Sequence, residues 1–143
     1  ALLIVDLPPE EAISVREQLN PFGLQLISLL APTTVGQRLN NACQHAQGYL
    51  YYVSMAGVTG KGLEQAGNLK DRIEQIKSLS SVPVFVGFGI KDAETAKACA
   101  QFADGVIIGS ALVATLADCQ TDKACQEAVQ AFIGPIRTAI DLV

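Results

Sequence analysis

Tyr49-Leu-Tyr-Tyr-Val-Ser-Met-Ala-Gly-Val-Thr-Gly60 passes from an aromatic, β-branched run into a loop punctuated by Gly57 and Gly60. An uninterrupted run of good β-formers specifies a buried strand, and the glycines specify the turn at its C-terminal end. Val84-Phe-Val-Gly-Phe-Gly-Ile90 and Gly105-Val-Ile-Ile-Gly-Ser110 repeat the pattern. Each ends on glycine where a helical pattern begins. Strand ends of this kind describe one rim of a parallel β/α protein. Glycine there leaves backbone N–H groups accessible to an anion.

The rest of the chain alternates in the same way. Residues 2–5, 24–30, 49–53, 84–86 and 105–108 read as strands. Pro8-Pro9-Glu10-Glu11 reads as the start of the first helix, since proline and acids suit a first turn, with Ala12, Val15 and Leu19 facing inward. Thr33 or Thr34 is expected to cap the second helix, with the stripe Val35, Leu39, Ala42, Cys43 and Ala46. A polar, glycine-rich loop runs through Gly67, and Asn68 is expected to cap a helix carrying Leu69, Ile73, Ile76 and Leu79. Asp92 caps a helix over residues 93–102, residues 110–116 form a short extra helix, and Asp122 opens the last one. Gly134-Pro135 is expected to kink or interrupt it.

Strands alternating with helices imply parallel pairing in chain order, with helices on the outer face. Five βα units do not close an eight-stranded barrel, which typically takes about 250 residues. The expectation is a single partial β/α-barrel domain over residues 1–143 with open edges at residues 2–5 and 105–108. Open parallel edges favour self-association.

The 143 residues are half apolar, with 10 Lys and Arg against 14 Asp and Glu. The composition is globular, and the mildly acidic chain has no basic stripe for nucleic acid. No apolar run approaches the about 20 residues of a membrane span. The chain opens at Ala1-Leu-Leu-Ile-Val-Asp6, inside a strand pattern, without an initiator Met or a charged signal region. Natural domains seldom start so. Cys43, Cys99, Cys119 and Cys125 match no metal spacing or secretory framework, and buried or free thiols in a reducing cytosol are expected. Cys119 and Cys125 flank a turn and are the one pair placed for a disulfide.

In β/α barrels, phosphate commonly sits at the loops after the last two strands and at a short helix's N-terminus. Gly89, Gly109, Ser110 and the helix that Ser110 begins fit that arrangement, with Gly60 closing from the third loop. Any one of these glycines alone reads as a turn residue; together they favour phosphate. Leu29, Tyr51, Phe88 and Ile107 sit near the same rim, either lining an apolar pocket or packing a barrel interior. Asp6 is a candidate carboxylate at the rim, with capping of the Pro-Pro turn the simpler role. His45, the lone histidine, ends a helix, where a solvated cation is favourable. No Ser/His/Asp set assembles, and no metal cluster is visible.

Asp6-Leu-Pro-Pro-Glu-Glu11, Ala31-Pro-Thr-Thr34, Tyr49-Leu-Tyr-Tyr-Val-Ser54, Gly57-Val-Thr-Gly60, Gly87-Phe-Gly-Ile90 and Ala103-Asp-Gly-Val-Ile-Ile-Gly-Ser-Ala111 occur in the order and spacing of the tryptophan synthase α subunit. The chain resembles that family across essentially its whole length. The resemblance implies the (β/α)8 TIM-barrel fold, here from about the fourth strand onward. It also implies a lyase of tryptophan biosynthesis, cleaving indole-3-glycerol phosphate to indole and glyceraldehyde 3-phosphate. Its implied partner is a β subunit that holds pyridoxal phosphate, with no cofactor in this chain. Cytoplasm, or the plastid stroma of a photosynthetic eukaryote, is the implied location.

By the same resemblance, Gly60, Gly89, Gly109 and Ser110 bind phosphate. Leu3, Leu29, Tyr51, Phe88 and Ile107 line the indole pocket. Thr59 and Gly57 belong to loop closure and signalling to the β subunit. Met55 departs from the arginine common before this loop, and Gly134-Pro135 departs from the family's usual last helix. The family's acid/base glutamate and indole-orienting aspartate lie in a region preceding anything matched here. No catalytic residue is therefore carried over, and the isolated 143 residues are expected to bind phosphate without turnover. The alternatives are a non-catalytic module for assembly or phosphate binding, and another phosphate-binding barrel enzyme. The Gly57–Gly60 loop argues against the latter.

Overall fold

The computed structural model describes residues 1–54, 63–87 and 89–143, and of residues 63–68 the backbone alone. The elements alternate along the chain: β1 (Leu2–Leu3), α1 (Ala12–Leu19), β2 (Leu26–Leu30), α2 (Gly36–Gln44), β3 (Leu50–Val53) and α3 (Leu63–Leu79). After these come β4 (Val84–Gly87), α4 (Ala93–Ala100), β5 (Gly105–Ile107), α5 (Ser110–Leu116) and α6 (Asp122–Ile140). Among the described residues the strands form one five-stranded sheet in the order β1-β2-β3-β4-β5. Every neighbouring pair is parallel.

Strand side chains alternate between two faces, so the register sorts them. Leu30, Tyr52 and Val86 share one level, and Leu50 and Val84 pair on the same side. These residues join Leu39, Ala42 and Cys43 of α2, Ile73 and Ile76 of α3, Ala96 and Cys99 of α4 and Ile136 of α6 in one buried cluster. Each large side chain there contributes about 1.5–3 kcal/mol through the area it removes from water. The core thus lies between the sheet and its helices. The opposite face carries Leu3, Leu29, Tyr51, Phe85 and Ile107, all only half buried.

Several local expectations give way. The helix expected from Pro8 begins at Ala12. Pro9 bars Pro8 from helical geometry, so residues 9–11 form turns whose Glu11 and Ala12 N–H groups donate to the Pro8 carbonyl. Neither Thr33 nor Thr34 caps α2: its N-cap is Val35, and Thr34 Oγ1 instead accepts the Ala31 N–H at 3.1 Å. Asn68 lies inside α3, which starts at Leu63. A long helix absorbs a glycine such as Gly67 for about 1 kcal/mol. α6 runs through Gly134-Pro135 as one element from Asp122 to Ile140. The cap at Asp92 is present as a reciprocal box with Thr95.

Candidate functional site

Parallel strands deliver their C-terminal ends to one side of the sheet, and three of the residues expected to bind phosphate, Gly89, Gly109 and Ser110, follow those ends. Gly89 follows β4 with φ +78°, a conformation that favours glycine. Gly109 precedes α5, is exposed, and has open space where a Cβ would stand. Its carbonyl accepts the Val113 N–H at 3.1 Å, the first helical bond of α5. The N–H groups of residues 110–112 therefore have no partner within the helix. Ser110 opens that helix and is exposed. Gly60, Gly57, Thr59, Met55 and Phe88 lie outside the described residues.

Four of the expected pocket residues, Leu3, Leu29, Tyr51 and Ile107, share a sheet face. Leu29 is level with Tyr51, and Tyr51 with Phe85. Ile107 is level with Gly87, one same-face step nearer the rim. Leu3 is level with Ile27, one same-face step below Leu29. Two glycines on this face make room for rings. A Cβ at Gly87 would stand 2.3 Å from Tyr51 Oη and Cε2, and one at Gly105 would stand 2.9 Å from the Phe85 ring. Phe85 stacks on Tyr49 with centroids 4.6 Å apart. Sequence reading missed Tyr49 and Phe85, although their two-residue spacing from Tyr51 and Gly87 was the available signal. Burial pushes the Tyr51 phenol above its ordinary pKa, and Tyr49 adds to the shift.

Behind the rim, Arg72 of α3 donates to the Thr34 carbonyl and to Gln75 Oε1. It ties the loop after β2 to the helix layer. Ser54, buried at the end of β3, donates from both N–H and Oγ to the Gly87 carbonyl. Asp6 is exposed in the turn after β1, and His45 is exposed at the end of α2. Among the described residues no His/Cys/Asp/Glu group could hold a metal, and no helix is long and apolar enough to cross a membrane.

The sequence profile described as "Tryptophan synthase alpha chain" matches residues 1–141. The chain belongs to the tryptophan synthase alpha chain family. It is 51% identical over 141 residues to the tryptophan synthase alpha chain of Xanthomonas oryzae pv. oryzae (strain MAFF 311018), covering 98% of this chain and 53% of that protein. It is 50% identical to that of Xylella fastidiosa (strain M12), with 99% and 53% covered. The crystal structure of the alpha subunit from Legionella pneumophila str. Paris superposes with TM-score 0.80 at 42% identity, over 99% of this chain and 52% of that one. Tryptophan synthase from M. tuberculosis, in an open form, gives TM-score 0.78 at 28% identity over 98% and 50%. The chain thus spans about half the length of the tryptophan synthase alpha relatives it matches. Its parallel sheet is five βα units of that family's barrel.

Proposed function

We propose that this chain supplies the phosphate-holding and indole-lining part of a tryptophan synthase α active site. The reaction is retro-aldol cleavage of indole-3-glycerol phosphate to indole and glyceraldehyde 3-phosphate, with indole passing to a β subunit that holds pyridoxal phosphate. The observation that carries the reading is that, in a member of this family, Gly89, Gly109 and Ser110 stand at the strand ends beside the half-buried face of Leu29, Tyr51 and Ile107. Backbone N–H groups at these glycines and at Ser110 meet the phosphate, and the α5 dipole adds about 0.3–1 kcal/mol. Leu3, Leu29, Tyr51, Phe88 and Ile107 present an apolar surface to the indole ring. Gly60 completes the phosphate cradle, while Gly57 and Thr59 close the loop and face the β subunit.

Cleavage also needs a placed acid and base, worth about 10²–10⁴-fold in rate. None of these 143 residues matches the family's glutamate or aspartate, so alone they bind without turning over. Calorimetry with glycerol phosphate on the 143-residue chain tests the binding half. Weak binding is expected, lost in Gly109→Val, kept in Lys123→Ala and not competed by glycerol. A Cβ at Gly109 would meet nothing within 4 Å, and circular dichroism checks that the valine variant remains folded. If it binds as the parent does, these glycines are turn residues only. No indole release is expected after stringent purification. Turnover abolished by Asp6→Asn would make Asp6 the base and overturn the reading.

A further inference from the structure

Arg16 lies on the inward side of α1 at 9% exposure, and its Nε–H is buried with no acceptor among the described residues. The ion pairs among those residues use Arg38, Lys70, Lys77, Lys123 and Arg137, and none includes Arg16. A guanidinium stays charged in a protein, and a buried charge without a counter-ion is costly. Arg16 Nη2 donates to Ser28 Oγ at 3.2 Å. Ser28 alternates along β2 with Leu29, so its side chain stands on the helix side of the sheet, away from the face that carries Leu29 and Tyr51. A hydroxyl that accepts from a guanidinium keeps its own proton for a further acceptor, and no described residue takes it.

Ser28 also lines a cavity of about 20 Å³ between α1, α2 and β2, walled by Leu7, Pro9, Ala12 and Ala42. Ala12 stands one turn before Arg16 on the same face of α1, so the cavity adjoins the guanidinium as well as the hydroxyl. No Asp or Glu is among its walls. A space of about 10–15 Å³ already holds a water; a chloride is only slightly larger, whereas sulfate or phosphate does not fit. A donated proton backed by an unpaired positive charge selects an anion over water. We propose that this cavity takes one small monovalent anion, chloride or a halide of like size, held by the Ser28 hydroxyl with the Arg16 guanidinium behind it, and that the ion ties α1 to β2. The ion lies two hydrogen-bond lengths from the guanidinium, where a partly buried pair escapes most salt screening. Leu7 and Pro9 are half exposed, and the ion enters past them. The site is independent of the phosphate reading.

Urea unfolding of the 143-residue chain at constant ionic strength, with sodium chloride exchanged for sodium gluconate, tests the proposal, because gluconate is too large to enter. A dissociation constant of about 50 mM makes about 0.5 M chloride raise the folding equilibrium constant roughly tenfold. Arg16→Met removes the charge at similar volume and should abolish the chloride gain; Ser28→Ala should shrink it. In crystals grown with bromide, one anomalous peak is expected against Ser28 Oγ. That readout needs only the parent chain and stands even where a variant fails to fold. Equal parent stability in chloride and gluconate, an undiminished chloride gain in either variant, or no bromide beside Ser28 overturns the proposal, the last result assigning the cavity to water.

Discussion

The Tyr51 ring lies across the end of β4 because position 87 carries no Cβ. Gly87 therefore serves the apolar face as much as the turn that follows it. An alanine there forces the ring aside or shifts β4. We expect Gly87→Ala to destabilise the chain by about 1–2 kcal/mol in urea unfolding. The cost should nearly vanish in a Tyr51→Ala background, because the clash has one partner. Equal cost in both backgrounds would trace the effect to the β4 backbone instead. Arg16 is a residue that reading the sequence missed. It joins Ala12, Val15 and Leu19 on the inward side of α1, is 9% exposed, and donates to Ser28 Oγ at 3.2 Å. Its Nε is buried without a partner among the described residues, and burial pushes the guanidinium below its ordinary pKa. An inward stripe drawn from apolar residues alone had no place for it.

Elements meet at Asp104, which belongs to the end of the sheet opposite the glycine cluster. Its Oδ2 accepts the Val84 N–H at 2.9 Å and its Oδ1 accepts from Lys77 Nζ at 2.7 Å. Its own N–H donates to the Val84 carbonyl at 3.0 Å, so the start of β5, the start of β4 and α3 share one carboxylate. Burial raises the Asp104 pKa, but the Lys77 ammonium and the Val84 N–H outweigh it and hold the carboxyl below its ordinary value. A depressed folded pKa means the stabilisation is complete above about pH 4 and fades as pH falls through the lower folded value. Solvent screens the ion pair, so Asp104→Ala should cost only about 1 kcal/mol at neutral pH. The gap between variant and parent should narrow at about pH 3. A gap independent of pH would assign the effect to packing. α6 shows the converse of such a clamp: proline usually breaks a helix, yet Ile136, directly after Pro135, is 4% exposed in the core. Packing against α4 offsets the lost hydrogen bond.

At the scale of the molecule, β1 and β5 each pair on one side only among the described residues. Ile4 and Val5 beyond β1 are 42% and 65% exposed, and Val113 on α5 is 68% exposed. Between α5 and α6 lies an open apolar groove of about 610 Å³, lined by Leu116, Cys125, Val129 and Ile133 among others. Unpaired parallel edges beside apolar surface favour pairing with another chain. Sedimentation of the 143-residue chain at micromolar concentration should show a dimer or a larger species. A monodisperse monomer would refute self-association and leave the edges capped by their own twist and loops.

Sequence alone determined the alternation of strand and helix, the parallel order and the family. Those depend on local periodicity and on glycines whose spacing is written along the chain: the β3 run, the Asp92 cap and the helix opening at Ser110 were all legible. Tertiary structure decided what long-range contact controls. Whether Pro135 breaks a helix depends on what Ile136 packs against. Whether Thr34 caps α2 depends on the competing Ala31 N–H. That Gly87 serves a tyrosine on the neighbouring strand follows only from the register of β3 on β4, because hydrogen bonding across strands joins residues that the sequence holds far apart.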